Sequence, residues 1–387
     1  MHRALAILAT AALVVTIVPT ASMAHSSSDR SLDVHASSIP LAMTKDYNGR
    51  NLKVRTKLSK NSAYTRYKAT YTSGDLKICG ILIEPKGAGP FPMVVLAHGY
   101  IDPKVYVSGQ GFRREQDWLP RNGYGVLHVD YRNHACSDKD PRSDVNMRLG
   151  YAEDVINAAL AIRDSDIEWI DGERIALLGR SMGGGVAYQA LTIAPGVFDA
   201  AITYASVSTN AEDNFNRWQR KRYEIGDRIL KKYGEPDDNP EVWKRMSSRN
   251  YFFRITEPIL AFHGTADDTC EISWARATKR ALDRAGVENK LVEYDGAGHY
   301  FYGPWSNSKI IPDLSAAIDL NFKEKKEEVK QKVDTVIKQK VQEELGVTVG
   351  EGQSVEDAVK QGVEDKLKKE LFKIFFCNNS KTCKLAS

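Results

Sequence analysis

Gly179, Ser181 and Gly183 form the pattern GxSxG within the segment ERIALLGRSMGGG. A serine hydroxyl is a weak nucleophile unless its oxygen is exposed and a general base can reach it. A sharp turn from a strand into a helix provides the exposure, and glycines allow the close backbone approach that such a turn requires. An apolar run precedes the motif and a helical stretch follows it. The motif therefore predicts a nucleophilic Ser181 in a strand-turn-helix context.

A nucleophilic serine needs an imidazole base. His299 lies in the segment YDGAGHYF, where a Gly-rich loop after a late predicted strand can place its ring over Ser181. We therefore predict His299 as the base. The other histidines have different interpretations: His2 belongs to the N-terminal apolar segment, His25 and His35 to a polar leader, His128 and His263 to apolar strands as core residues, and His134 to a loop as a candidate substrate contact.

The imidazole in turn needs a carboxylate that fixes its tautomer and stabilises the imidazolium. Asp267 follows the predicted strand PILAFHG, one strand before His299. The neighbouring Asp268 is the competitor, and Asp295 within the histidine loop is interpreted as structural. Ser181, Asp267 and His299 then occur in the chain order of an α/β-hydrolase triad.

An acyl-transfer site also needs two hydrogen-bond donors for the oxyanion. The backbone N–H of Met182, next to the nucleophile, is the first predicted donor. The backbone N–H of Tyr100, after Ala97-His98-Gly99 at the end of the first predicted parallel strand, is the second.

Strands that alternate with helices must position these residues. Residues 64–84 read as an antiparallel hairpin, and buried strands in MVVLAHG, GVLHVDY, RIALLG, DAAITYAS, PILAFHG and KLVEYDG are separated by helical segments. Such alternation predicts an α/β fold with a mostly parallel sheet and helices on both faces. Between TYAS and PILAFHG the alternation stops, and the charged, aromatic-rich insert of about residues 206–256 predicts a helical cap over the site.

The two ends of the chain differ in composition from the middle. Residues 1–24 have a basic start, an apolar run and small residues before Ala24, which predicts an export signal cleaved near Ala24 and no stable membrane span after cleavage. An uncleaved membrane anchor is the alternative, disfavoured because the apolar run is short and contains Pro19. Residues 25–60 are interpreted as a flexible leader and residues 61–321 as the catalytic domain. Residues 322–387 predict a C-terminal helical hairpin that packs on the catalytic domain, self-associates or binds a surface partner.

Net charge and cysteine content limit the binding partners and the disulfide pairings that the sequence allows. A net charge of +4 over 387 residues, without a basic stripe, makes nucleic acid an unfavoured partner. Export permits disulfides. Cys377 and Cys383 are close in sequence, and Cys136 and Cys270 each follow a predicted strand at the same end of the sheet, so we consider both pairings. Free buried thiols are the alternative for Cys79, Cys136 and Cys270.

The segments AHGY, GYGVLHVDYRNHACSD, GRSMGGG, HGTADDTCEI and GAGHYF together resemble the catalytic domain of the prolyl oligopeptidase and dipeptidyl peptidase type, within the α/β-hydrolase superfamily. The resemblance covers roughly residues 65–320. It implies hydrolysis of an ester or peptide bond through an acyl-enzyme on Ser181, without a cofactor. Two departures from the family stand out. We expect no β-propeller between the predicted cleavage site and the first predicted strand, because the intervening segment is short, and His134 and Cys136 occupy positions where small residues are commoner in the family.

The expected function is therefore an exported serine hydrolase. Carboxylic ester hydrolysis is favoured, and a prolyl-oligopeptidase-like peptidase is the alternative, because fold resemblance alone does not decide between them. A binding or cell-surface interaction protein that uses the fold without chemistry is the alternative from another class. A complete Ser181, Asp267 and His299 triad argues against that last interpretation.

Overall fold

The computed structural model describes residues 35–301 and the single residue 348. Nine strands are present in the described residues: β1 (Arg50–Lys60), β2 (Tyr64–Ser73), β3 (Leu76–Pro85), β4 (Phe91–Ala97), β5 (Gly125–Val129), β6 (Ile170–Arg180), β7 (Ala200–Tyr204), β8 (Ile259–Gly264) and β9 (Asn289–Tyr294). Eight α-helices accompany them: α1 (Ile39–Met43), α2 (Arg113–Arg121), α3 (Leu149–Arg163), α4 (Met182–Ile193), α5 (Ala211–Asn214), α6 (Tyr223–Tyr233), α7 (Pro240–Met246) and α8 (Ile272–Arg284).

The strands form one sheet in the order β1-β2-β3-β5-β4-β6-β7-β8-β9. Strands β1, β2, β3 and β5 pair antiparallel, whereas β5, β4, β6, β7, β8 and β9 run parallel to one another. The hairpin predicted over residues 64–84 is the β2–β3 pair. The α/β-hydrolase fold predicted from the alternation is confirmed, and it gathers the carboxyl ends of six parallel strands along one edge.

Helices cover both faces of this sheet. The apolar side chains of α3 and α4 pack on one face together with α1 and the end of α8. The other face is covered by α2 and by Phe301, which packs near Tyr204 and Tyr294. Both faces of β4, β5 and β7 are therefore buried, which explains why these strands read as continuous apolar runs. Among residues 35–301, no helix combines the length and apolar composition needed to cross a membrane.

The interpretation of residues 25–60 as a flexible leader is wrong for residues 35–60. This segment contains α1, whose N-terminus is capped by Ser38, and β1, which pairs antiparallel with β2. Only Leu52 of β1 is buried. A strand at the edge of a sheet is held by main-chain hydrogen bonds on one side, and exposed lysines and arginines are common there. The polar composition of β1 therefore does not reveal from the sequence that this segment is a strand.

Helices fill the segment between β7 and β8. After α5 come a π-helical turn (Phe215–Gln219), α6, α7 and a 3-10 helix (Ser248–Arg254). The helices share a small core of their own in which Phe215, Ile229 and Trp243 are buried, and Val145 from the loop before α3 joins it. We call this segment the helical insert. The predicted signal at residues 1–24 and the predicted hairpin at residues 322–387 lie outside the described residues, apart from residue 348.

The structure pairs Cys79 with Cys136 and leaves Cys270 as a buried free thiol. The Cys136–Cys270 pairing considered above is wrong, and so is the alternative of free thiols at Cys79 and Cys136, whereas a free buried thiol at Cys270 is confirmed. Cys136 follows β5 and Cys270 follows β8, and β4, β6 and β7 lie between those strands. Four strand spacings amount to about 19 Å, far beyond the roughly 7 Å that a disulfide can span between Cα atoms. Cys377 and Cys383 lie outside the described residues.

Candidate active site

Ser181 occupies a sharp turn between β6 and α4. Its backbone has φ 55° and ψ −122°, in a region that side-chain-bearing residues rarely adopt. The surrounding backbone holds it there: the amide of Ser181 donates to the Tyr204 carbonyl, and the Ser181 carbonyl accepts from the amides of Gly184 and Val207. The Ser181 side chain therefore points out of the sheet edge, and the strain of the turn is balanced by backbone hydrogen bonds.

The glycines beside Ser181 are required by close backbone approach. A Cβ on Gly183 would overlap the Ala97 carbonyl of neighbouring strand β4, and a Cβ on Gly179 would overlap the Gly183 carbonyl. Residues with a side chain would therefore push α4 away from β4 and β6. The spacing GxSxG reflects this geometry directly.

The structure brings Ser181, His299 and Asp267 together. His299 Nε2 lies 3.1 Å from Ser181 Oγ, and His299 Nδ1 lies 2.8 Å from Asp267 Oδ2. The competitors for the carboxylate role do not contact this ring in the structure. Asp268 is exposed and accepts from the Thr269 hydroxyl, whereas Asp295 accepts from the Thr265 hydroxyl.

Two adjacent loops position His299 and Asp267. The loop after β8 and the loop after β9 are joined by backbone hydrogen bonds from Thr265 to Tyr294 and from Ala266 to Ala297. Because β8 and β9 are parallel neighbours, their carboxyl ends lie side by side. The histidine and the carboxylate therefore meet although 32 residues separate them.

Asp267 is buried and well supplied with hydrogen bonds. Its Oδ1 accepts from the amides of Thr269 and Cys270, at 2.9 and 2.8 Å. Burial raises the pKa of the Asp267 carboxyl, but the hydrogen bonds from His299 and the Cys270 amide outweigh burial, so the net pKa lies below its ordinary value. The lowered pKa favours the ionised carboxylate, which is the form that accepts a hydrogen bond from His299 Nδ1.

The loop after β4 runs beside Ser181. A Cβ on Gly99 would lie 3.2 Å from Ser181 Cβ, so the backbone that leads to Tyr100 passes close to the nucleophile. Met182 begins α4 directly after Ser181. Within residues 35–301, neither the Tyr100 amide nor the Met182 amide donates to another backbone carbonyl. Both predicted oxyanion donors are therefore available to a bound group.

Three side chains hold this loop in place, a role that the sequence assigned to none of them. Tyr131 Oη donates to the His98 carbonyl at 3.1 Å, and His98 Nδ1 donates to the Gly99 carbonyl at 2.6 Å. His134 places Nε2 3.3 Å from the carbonyl oxygen of Ile101. We call residues 98–101 the oxyanion loop. The adjacency of β4 and β5 brings these groups together, which the sequence order alone does not reveal.

The expectation that His134 contacts substrate is wrong. Its side chain is buried, packs edge-on against Tyr106 and His98, and lies behind the oxyanion loop. His128 and His263 are buried within β5 and β8, as expected of core residues. His263 Nε2 donates to the Cys270 carbonyl at 2.7 Å, so this histidine supports the loop that carries Asp267.

A cavity of about 530 Å³ opens above Ser181. Its described walls include the oxyanion-loop residue Tyr100, the nucleophile, His299 and side chains of the helical insert such as Trp218. In residues 35–301, no group of three or more His, Cys, Asp or Glu side chains is arranged to bind a metal ion. The described groups that surround the cavity can hold a small molecule next to the Ser181 hydroxyl, the His299 ring and residues Tyr100 and Met182.

Residues 110–317 match the sequence model of the prolyl oligopeptidase family. Dipeptidyl peptidase 4 of Felis catus is 33% identical over 182 residues, which cover 46% of this chain and 22% of that protein. Human prolyl endopeptidase FAP is 30% identical over 192 residues, 48% of this chain and 24% of that protein. The match therefore spans less than a quarter of the length of these curated relatives.

Solved structures show the same fold. Acetyl xylan esterase 1 from Thermoanaerobacterium sp. JW/SL YS485 superimposes with a TM-score of 0.53 at 17% identity, over 72% of this chain and 90% of that chain. An acylaminoacyl peptidase of Pyrococcus horikoshii superimposes with a TM-score of 0.50 at 21% identity, over 64% of this chain and 39% of that chain. At these identities the likeness concerns the fold.

Proposed function

The chain belongs to the prolyl oligopeptidase family, and from this premise we propose that it is a serine hydrolase whose catalytic residues are Ser181, His299 and Asp267. One observation carries the proposal. An unbroken series of hydrogen bonds runs from the buried Asp267 carboxylate through His299 to the Ser181 hydroxyl, which stands on a strained turn at the edge of a cavity.

In the proposed reaction, Ser181 Oγ attacks the substrate carbonyl carbon while its proton passes to His299 Nε2. Asp267 accepts the Nδ1–H of His299 and stabilises the imidazolium. The amides of Tyr100 and Met182 stabilise the oxyanion. His299 then protonates the leaving group as its bond to carbon breaks, and the acyl group remains on Ser181. A water then attacks the acyl carbon while its proton passes to His299 Nε2; the bond between that carbon and Ser181 Oγ breaks, His299 returns the proton to Oγ, and the acid leaves.

We favour carboxylic esters as substrates. Peptidases that act at a free N-terminus must bind an ammonium group, and a carboxylate is the usual partner of an ammonium in a cavity. Among the described residues that line the cavity there is no Asp or Glu. A peptidase is the second candidate, supported by the 33% identity to a dipeptidyl peptidase over nearly half of the chain.

Export is also proposed, with cleavage near Ala24. The apolar segment at residues 1–24 supports it, and so does the Cys79–Cys136 disulfide, since such bonds persist mainly in oxidising compartments. Self-association or surface attachment through residues 322–387 is a further proposal that rests on their helical amphipathic pattern alone.

The test is time-resolved mass spectrometry of the purified mature protein with p-nitrophenyl butyrate and, in parallel, with an Ala-Pro p-nitroanilide. We expect an acyl adduct on the peptide that contains Ser181 and turnover of the ester. Turnover of the anilide at a comparable rate would support the peptidase instead. If Ser181 reacts neither with these substrates nor with a fluorophosphonate, the protein is a binding protein on a hydrolase fold.

A further inference from the structure

We propose that the cavity above Ser181 selects substrates that carry an anionic group, a carboxylate or a phosphate, in addition to the scissile bond; this inference rests on the proposed hydrolase function. Four cationic side chains line the cavity, Arg148, Arg217, Lys221 and Arg222. No carboxylate side chain stands among its described lining residues. No sequence motif points to any of these four residues.

Arg148 lies next to the predicted oxyanion donors. Its guanidinium stacks 4.7 Å from the centroid of the Tyr100 ring, and its Nη1 contacts Met182 Sδ at 3.6 Å. Asp144 holds it through a hydrogen bond from Arg148 Nε, 2.8 Å long. Only 15% of the Arg148 side chain is exposed. A positive charge is therefore fixed beside the place where the acyl carbon must sit.

Arg217 lies on the other side of the site. Its Nη2 donates to the backbone carbonyl of Asp268, the residue after Asp267. A carbonyl oxygen accepts this hydrogen bond but does not neutralise the charge. Within residues 35–301, no carboxylate lies within ion-pair distance of Arg217. The rest of its guanidinium fork is available for a ligand.

Arg222 and Lys221 add charge at the rim. Arg222 shares Asp144 with Arg148, at a distance of 3.6 Å, and Lys221 is exposed. Among the described residues, one carboxylate thus serves two of the four cations, which leaves an excess of three positive charges from the side chains that line the cavity. Arg148, which is only 15% exposed and stacks on the Tyr100 ring, lies in a lower local dielectric than the exposed cations, and this strengthens its attraction for an anion.

The guanidinium fork matches the two oxygens of a carboxylate or a phosphate. A bound anion would satisfy Arg217 donors that the described protein atoms leave free, whereas an ammonium group would be repelled. The cationic cavity is therefore expected to raise kcat/KM for anionic esters and to discriminate against substrates with a free amine near the scissile bond.

The experiment compares esters that differ only in charge. The p-nitrophenyl monoester of adipic acid is matched with its methyl ester, which has the same chain and no charge, and spontaneous hydrolysis is subtracted. A second pair places the charge in the leaving group: the butyrate ester of p-hydroxybenzoic acid against that of its methyl ester. We expect kcat/KM to be about tenfold or more higher for the anionic member of at least one pair. The pair that responds identifies the side of the scissile bond on which the anion is recognised.

Arg217→Gln is the main variant, and Arg148→Gln is the second. Each is expected to lower the ratio of anionic to neutral kcat/KM by about tenfold, chiefly through KM. Arg228→Gln is the matched control, because Arg228 is an exposed arginine of α6 that does not line the cavity. It removes the same charge from the helical insert and should leave the ratio unchanged.

Salt gives an independent readout. Raising the ionic strength from about 0.05 M to about 0.5 M should lower kcat/KM for the anionic ester more than for the neutral ester, because mobile ions screen the attraction. Equal rates for both members of both pairs, with Ser181 still labelled by fluorophosphonate, would overturn this inference while leaving the hydrolase proposal intact. Absence of labelling and of all turnover would instead overturn the hydrolase proposal.

Discussion

The Tyr131 hydroxyl donates a 3.1 Å hydrogen bond to the His98 carbonyl, and this bond ties the loop after β5 to the oxyanion loop. Tyr131 is fully buried and stacks on Tyr151 of α3, 4.7 Å between ring centroids. The position of the Tyr100 amide thus depends on a side chain that does not touch the cavity. Tyr131 is a positioning residue in this arrangement.

Tyr131→Phe should lower kcat by up to about tenfold, with a smaller effect on KM, because one neutral hydrogen bond contributes about 1 kcal/mol and here it orients an oxyanion donor. The measurement is steady-state kinetics with p-nitrophenyl butyrate together with a thermal unfolding curve. Tyr188→Phe is the control, since it also deletes a buried hydroxyl. The Tyr188 hydroxyl makes a 3.1 Å hydrogen bond to the Thr203 hydroxyl and does not contact the oxyanion loop. Equal loss of kcat in both variants would contradict the positioning role.

Removal of the Cys79–Cys136 disulfide should destabilise the protein and also slow catalysis. The bond closes a loop with a sequence separation of 57 residues, for which chain entropy predicts a loss of about 4 kcal/mol. It also holds the loop that carries Tyr131 and His134. The double variant Cys79→Ser/Cys136→Ser avoids a new free thiol, and urea unfolding with parallel kcat measurements tests it. If reduction of the wild-type protein leaves its free energy of unfolding unchanged, the disulfide does not contribute to stability.

Asp267→Asn should lower kcat by about 10⁴-fold, because an amide in place of the carboxylate favours the wrong histidine tautomer. Asp268→Asn is the matched control, since Asp268 is the adjacent exposed carboxylate and does not contact His299. Steady-state kinetics with p-nitrophenyl butyrate test both variants, and kcat of the control should stay within about twofold of the wild-type value. A reversed order of effects would assign the carboxylate role to Asp268.

Two buried histidines should make the fold sensitive to acid. Burial lowers the pKa of His98 and of His128 to about 3, compared with about 6.5 in an unfolded chain. Between those pH values the unfolded state binds more protons than the folded state, so stability falls as the pH falls from about 6.5 towards 3 and is unaffected by these groups above that range.

His128→Phe keeps an aromatic ring at this position and removes one titrating group. In urea unfolding measured between pH 4 and pH 8, the variant should take up about one proton fewer on unfolding near pH 5 than the wild type. An unchanged pH dependence would mean that His128 is already protonated in the folded protein.

Much of the fold was predictable because the parallel strands are buried on both faces and therefore read as apolar runs. β4, β5 and β7 were found in this way, and the helical segments predicted between the parallel strands include α3, α4 and α8. Strand β1 was missed because its stabilisation comes from backbone pairing with β2, whereas sequence patterns report mainly on apolar burial. The segment at residues 35–60 consequently looked like a leader.

By itself, the sequence determined the fold class and the candidates Ser181, Asp267 and His299, because parallel strands bring the residues that follow them to one edge of the sheet whatever the strand order. The tertiary structure decided what depends on which strands are neighbours and on how the helical insert packs. The features decided in this way include the disulfide partner of Cys136, the position of His134 behind the oxyanion loop, and the placement of both Arg148 and Arg217 in the wall of one cavity. These are long-range contacts, and strand order and insert packing leave no periodic signal in the chain.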